Sequence, residues 1–144
     1  MAKDMSTKYR VETGEDSHQV IQLLDDKIYE YNSAKTHQSN GALFSRIVKA
    51  DGGEIIAGIA GWTWAGACEI TLFWVHEGFR EKGIGTLLLE AAEEEARNKK
   101  CSRILVKSYS FQAPHFYERH GFVVEHIMEN FPEGFSYYTL MKMI

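Results

Sequence analysis

Glu69-Ile-Thr-Leu-Phe-Trp-Val-His76, Glu77-Gly-Phe-Arg-Glu-Lys-Gly-Ile-Gly85 and Thr86-Leu-Leu-Leu-Glu-Ala-Ala-Glu-Glu-Glu-Ala-Arg-Asn-Lys99 make one continuous run. Ile70 to Val75 are β-branched, aromatic or leucine, which suits a buried strand. From Ile84 to Lys99 the apolar residues Ile84, Leu87, Leu88, Ala91, Ala92 and Ala96 recur at helical spacing. A strand therefore enters a glycine-bearing turn and a helix leaves it. The first amides of such a helix have no partner inside it, and with the helix dipole they favour an anion. Gly83 and Gly85 remove side chains where a phosphate would approach, and Arg80 and Lys82 add positive charge.

Working outward, Leu43–Asp51, Gly52-Gly53 and Glu54–Trp64 read as a β-hairpin, because paired glycines supply the positive φ of a tight connection. Gly66 marks the next turn, into the strand around Glu69–His76. Upstream, residues 1–8 read as a polar leader and Tyr9–Thr13 as a short first strand. Thr13 or Asp16 caps a helix with apolar positions Val20, Ile21, Leu24, Ile28 and Tyr31, running to about Asn32. Ser33–Ala42 has loop chemistry. Downstream, Arg103–Ser108 is a short buried strand, and a strand, crossover helix and strand imply a parallel pair. Ala113–His120 is a helix stopped by Gly121. Phe122–Ile127 and Phe135–Met143 form a last antiparallel pair, separated by Pro132 and Gly134.

The turn Arg80-Glu81-Lys82-Gly83-Ile84-Gly85 fits the R/Q-x-x-G-x-G/A pattern of the GNAT superfamily of acyl-CoA-dependent N-acyltransferases. Ala113-Pro-His-Phe-Tyr117-Glu-Arg-His-Gly121-Phe122 resembles that family's later A-x-x-x-Y-x-x-x-G-F/Y segment. The resemblance covers residues 54 to 144 well and the first third by layout alone. It implies a mixed, mostly antiparallel α/β sheet in the order β-α-β-β-β-α-β-α-β-β, with a central splayed parallel strand pair flanked by helices. It further implies that the backbone of Trp74, Val75 and His76 holds pantetheine, and that Arg80, Glu81, Lys82, Gly83, Ile84, Gly85 and Thr86 hold the pyrophosphate. A dinucleotide-binding reading lacks its G-x-G-x-x-G, since Leu88 stands at the last position. It also lacks an acidic end to the next strand, which finishes Lys107-Ser108.

The resemblance places Tyr117 near the cofactor sulfur, where a phenol protonates the departing thiolate. Glu69, 14 positions before Gly83, stands where some members present a catalytic carboxylate, and enclosure among aromatic side chains would fit it to take the amine's proton. Glu77 and Glu81 depart from an ideal anion turn unless they face solvent. The aromatic residues Tyr29, Tyr31, Trp62, Trp64, Tyr109, Phe111, Tyr137 and Tyr138 are candidates for an acceptor wall.

At 144 residues and 44% hydrophobic, the chain has material for one core and reads as a single domain, residues 1–144. A formal charge of -4 gives no basic stripe for nucleic acid. Cys68 and Cys101 read as buried free thiols, and the histidines show no metal spacing, His115 and His120 being five apart. Glu93-Glu94-Glu95 reads as a solvated helix face, with Glu95 and Lys99 available to each other. With no signal or membrane segment visible, a cytoplasmic protein follows. The expectation is an N-acetyltransferase that transfers the acetyl group of acetyl-CoA directly to an amine acceptor, without metal. A non-catalytic CoA-binding sensor and a protein-interaction module, dimerising through the last strands, are the alternatives.

Overall fold

The computed structural model describes residues 8–144. The polar leader falls almost wholly outside the described residues. Two compact units divide the chain, Met1–Gln38 and Ser39–Ile144.

In the first unit, α1 (Ser17–Thr36) is capped by Asp16, whose Oδ1 accepts from the amides of His18 at 3.1 Å and Gln19 at 3.3 Å. It runs one turn past Asn32. The Thr36 hydroxyl donates to the Asn32 carbonyl at 2.8 Å and Lys35 lies 5.6 Å above the Tyr31 ring, so the polar residues expected in a loop support another turn. His37, at φ 57°, ends it. Tyr9–Thr13 is not a strand: among the described residues it has no ladder partner, and its two apolar side chains are exposed.

The second unit is built on a sheet of β1 (Ala42–Lys49), β2 (Ile55–Trp64), β3 (Ala67–Val75), β4 (Arg103–Tyr109), β5 (Val123–Glu129) and β6 (Ser136–Met143), in the spatial order β1-β2-β3-β4-β6-β5. A 3-10 turn (Glu77–Phe79) and α2 (Ile84–Asn98) connect β3 to β4, and α3 (Pro114–Arg119) connects β4 to β5. The element boundaries otherwise fall within three residues of those expected. Leu88, Leu89, Ala92 and Ala96 of α2 meet Ile59, Cys68, Ile70, Ile104, Val106 and Leu140 of the sheet in one buried cluster. Among the described residues, only β3 and β4 run parallel.

That parallel pair is short. Its ladder joins Ala67 to Arg103 and ends at Ile70 with Val106, whereas β3 stays on β2 as far as Val75 and β4 stays on β6 as far as Tyr109. The sheet forks here into two three-stranded halves. The fork has a local cause. Gly61 pairs with Ile70 and Ala60 with Leu72, so Thr71 is an extra residue in β3, its hydroxyl 3.3 Å from the Ala60 carbonyl. Such a bulge bends and twists its strand, and this one follows the last β3–β4 pair. A Cβ on Gly61 would run into the Glu69 carbonyl. Gly61→Ala should therefore cost about 3 kcal/mol of stability, the upper end for overpacking against an unyielding neighbour, read as a lowered urea midpoint at constant slope.

The acidic run on α2 departs from a solvated face. Glu93 is buried at 8% exposure and accepts from Lys142 Nζ at 2.8 Å, with Arg97 3.6 Å away. Glu95 meets Arg46 of β1 at 2.8 Å instead of Lys99. Both carboxylates tie the helix to strands, which helical spacing alone does not reveal.

Candidate active site

A cavity of about 790 Å³ occupies the fork. Beyond the fork the bulge restores an alternation in which Phe73 and Val75 pack against the core, leaving Leu72 and Trp74 on the opposite sheet face. All four line the cavity, with Ser108 and Tyr117 on the core side and Lys107 on the other. The cavity therefore reaches both faces of the sheet.

Its upper wall is the expected turn. Glu81 at φ 62° and Gly83 at φ 82° fold the backbone over, and the first α2 bond runs from the Leu87 amide to the Gly83 carbonyl at 3.1 Å. The amides of Ile84, Gly85 and Thr86 precede that bond, and no side chain caps them. Gly83 is required for its backbone conformation, and a Cβ built on it would meet nothing within 4 Å. That open space beside uncapped amides fits a phosphate. Arg80 Nε donates to the Val75 carbonyl at 2.9 Å, fastening the turn to the end of β3.

Of the residues expected around a pantetheine–pyrophosphate group, Trp74, Val75, Arg80, Glu81, Gly83, Ile84, Gly85 and Thr86 line the cavity. His76 and Lys82 are not among its lining residues. The His76 amide is spent on the Ile56 carbonyl at 2.7 Å, and its ring Nδ1 accepts from the Gly78 amide at 2.9 Å. The side of β3 without a neighbour strand begins earlier, at Thr71. Glu77 and Glu81 are exposed.

Tyr117, on α3, is 6% exposed and ringed edge-on by Phe73, Phe116 and Phe122. Burial pushes its phenol up to about 12, so it stays protonated at working pH. Glu69 is on the other side of the sheet. Its ladder partners are Trp62 and Leu105, and its Oε2 lies 3.9 Å from Lys107 Nζ. The structure thus does not bring Glu69 and Tyr117 together: they lie on opposite faces of the sheet, and Glu69, still paired with Leu105, is not among the residues lining the cavity.

His120 has no metal spacing in the sequence, yet its ring has two partners in the structure. Its Nδ1 lies 2.8 Å from the Phe116 carbonyl, which can only accept, and its Nε2 lies 3.1 Å from Thr86 Oγ1. The ring thereby ties α3 to the first turn of α2 inside the cavity. Ser108, which the sequence does not mark, is buried, and its hydroxyl accepts from the Ala113 amide at 3.3 Å, holding the start of α3 on β4. The expected acceptor wall divides. Trp62, Tyr109 and Tyr137 share the Glu69 face by register, whereas Tyr138 packs against the core. Tyr29 and Tyr31 belong to the first unit.

Residues 6–122 match the model of the acetyltransferase (GNAT) family, and the chain belongs to that family. It is 34% identical over 94 residues to the blasticidin-S acetyltransferase of Streptomyces morookaense, covering 62% of this chain and 67% of that one. An acetyltransferase from Bacillus cereus ATCC 14579, known by crystal structure, superposes with a TM-score of 0.79 at 30% identity, over 96% of this chain and 100% of the other. An Agrobacterium tumefaciens crystal structure described as a putative acetyltransferase superposes at 0.82 with 26% identity, over 94% of this chain and 98% of the other. The mixed sheet with one parallel pair is the GNAT fold. Among the described residues no helix is long and apolar enough to cross a membrane, and no group of three or more His, Cys, Asp or Glu is placed to hold a metal ion.

Proposed function

We propose that the protein is an N-acetyltransferase that moves the acetyl group of acetyl-CoA directly to a primary amine. The observation that carries this reading is the fork: β3 loses its β4 neighbour after Ile70, and the resulting gap runs from the uncapped amides of α2 to the Tyr117 phenol. An extended pantetheine can add to the strand edge from Thr71 onward, because an opened strand presents amides and carbonyls that need partners. The pyrophosphate belongs on residues 80 to 86. The name of the Streptomyces relative supports acetyl transfer.

The cavity opens on both sheet faces, and the two substrates take opposite ones. The amine approaches from the Glu69 face, and its nitrogen bonds to the thioester carbonyl carbon. As the carbon–sulfur bond breaks, Tyr117 gives its proton to the leaving sulfur. The proton released by the amine passes to Glu69, directly or through water. Glu69→Gln should lower kcat/KM for the amine about a hundredfold while leaving the acetyl-CoA melting shift intact, and an undiminished kcat/KM removes Glu69 as the base.

The whole reading is tested by the melting temperature with and without acetyl-CoA, followed by thiol release from acetyl-CoA in the presence of amines. The protein's own thiols should react slowly with a thiol reagent. Cys68 and Cys101 are buried, and burial pushes the Cys68 thiol up to about 12. No melting shift and no thiol release with any amine would overturn the proposal.

A further inference from the structure

A second concavity, of about 430 Å³, opens beside the fork and is lined by Tyr109, Phe111, Phe131 and Pro132. Phe111 lines both cavities, so the second lies one ring's width from the first. Its rings are ordered as a run. Phe111 stacks on Tyr109 with planes 2° apart and centroids at 5.3 Å, Tyr109 stacks on Tyr137 at 4.4 Å and 28°, and Tyr137 meets Phe131 at 5.7 Å and 31°. Phe135 braces Phe111 edge-on at 5.1 Å. Phe111 and Phe131 nevertheless remain 59% and 51% exposed. These two half-exposed rings leave flat apolar faces open, at a volume suited to a small molecule.

The strand register puts this run on the same sheet face as Glu69. Glu69 pairs with Leu105, Lys107 and Tyr109 follow on that side of β4, and Tyr109 pairs with Tyr137. Lys107 lines the fork between the carboxylate and the rings. One face therefore offers, in order, a carboxylate, the reaction gap and an aromatic slot.

We infer that the Tyr109–Phe111–Phe131–Pro132 slot is the acceptor subsite, and that it takes a small amine carried on a flat conjugated ring. The ring stacks in the slot, and the amine extends past Phe111 into the fork. This rests on the acetyl-transfer reading and adds the acceptor class to it. The carboxylate would not select a flat scaffold; the open ring face beside the parallel Tyr109–Phe111 pair does.

The test compares initial rates with 2-phenylethylamine and 2-cyclohexylethylamine, which share carbon count and amine but differ in ring shape. Cadaverine serves as a ringless amine. Wild-type protein should show a kcat/KM about tenfold higher for the phenyl compound, as aromatic stacking beyond area burial allows. Phe131→Leu should bring that ratio to about one while the acetyl-CoA melting shift persists, since Phe131 lies outside the fork cavity. Equal rates for the two ring amines in the wild type, or a ratio untouched by Phe131→Leu, would overturn the inference. Cadaverine turnover without a phenyl preference would sink the acceptor class and leave acetyl transfer standing. Absence of both melting shift and turnover would sink the two together.

Discussion

Gly83→Asp should erase the rise in melting temperature that acetyl-CoA gives the wild-type protein. A ligand that binds only the native state at a hundred times its Kd stabilises it by about 2.7 kcal/mol. For a chain of this size that is a shift of about 5–10 °C. The substitution would carry a carboxylate into the open space beside the uncapped amides of Ile84, Gly85 and Thr86, where the phosphates are proposed to lie. The φ of 82° adds strain of its own, so Gly83→Ala is the control that separates backbone from charge. The alanine variant should melt lower than wild type in the absence of ligand yet keep part of the shift. A full shift in Gly83→Asp would place the phosphates elsewhere.

The strand, turn and helix of this segment were legible because local rules set them. β-favouring residues run to Val75, although of Ile70–Val75 only Ile70 is buried, because the strand loses its β4 neighbour there; helical spacing begins at Ile84, and between them only glycine is at ease with the φ at Gly83. The fork itself was legible only through family resemblance. Its cause, the extra residue Thr71 opposite Ala60 and Gly61, is a matter of pairing between strands, which spacing along one strand does not encode. The signal was present all the same: Gly61 is a glycine inside an apolar strand, a recognised mark of a bulge or close backbone approach. Glu93, expected on a solvated face, and His120, read only as lacking metal spacing, have contacts that spacing does not reveal, for a related reason. Glu93 lies on α2 and His120 directly follows α3, and their partners Lys142 and Thr86 lie in other elements, 49 and 34 residues away. Tyr9–Thr13 is the opposite case, a two-residue alternation that pairs with no strand among the described residues.

Tyr117→Phe should lower kcat about a hundredfold, the lower end for losing a positioned general acid, while leaving the acetyl-CoA melting shift intact. The ring sits among Phe73, Phe116 and Phe122, and phenylalanine preserves those edge-on contacts, so the fold should tolerate the change. The pH dependence carries the stronger prediction. Because burial raises the Tyr117 phenol to about 12, it remains a proton donor through neutral and mildly alkaline solution. The wild-type to variant ratio should accordingly be flat across that range. The same burial links to stability with a definite sign. Below the ordinary phenol value of 10.0 both folded and unfolded states hold the proton. Between that value and about 12 only the unfolded state releases it, so wild-type stability falls there with rising pH. The phenylalanine variant should lose less over the same interval. A ratio of turnover rates that changes with pH near neutrality, or a variant with undiminished kcat, would show that the leaving sulfur takes its proton from another group.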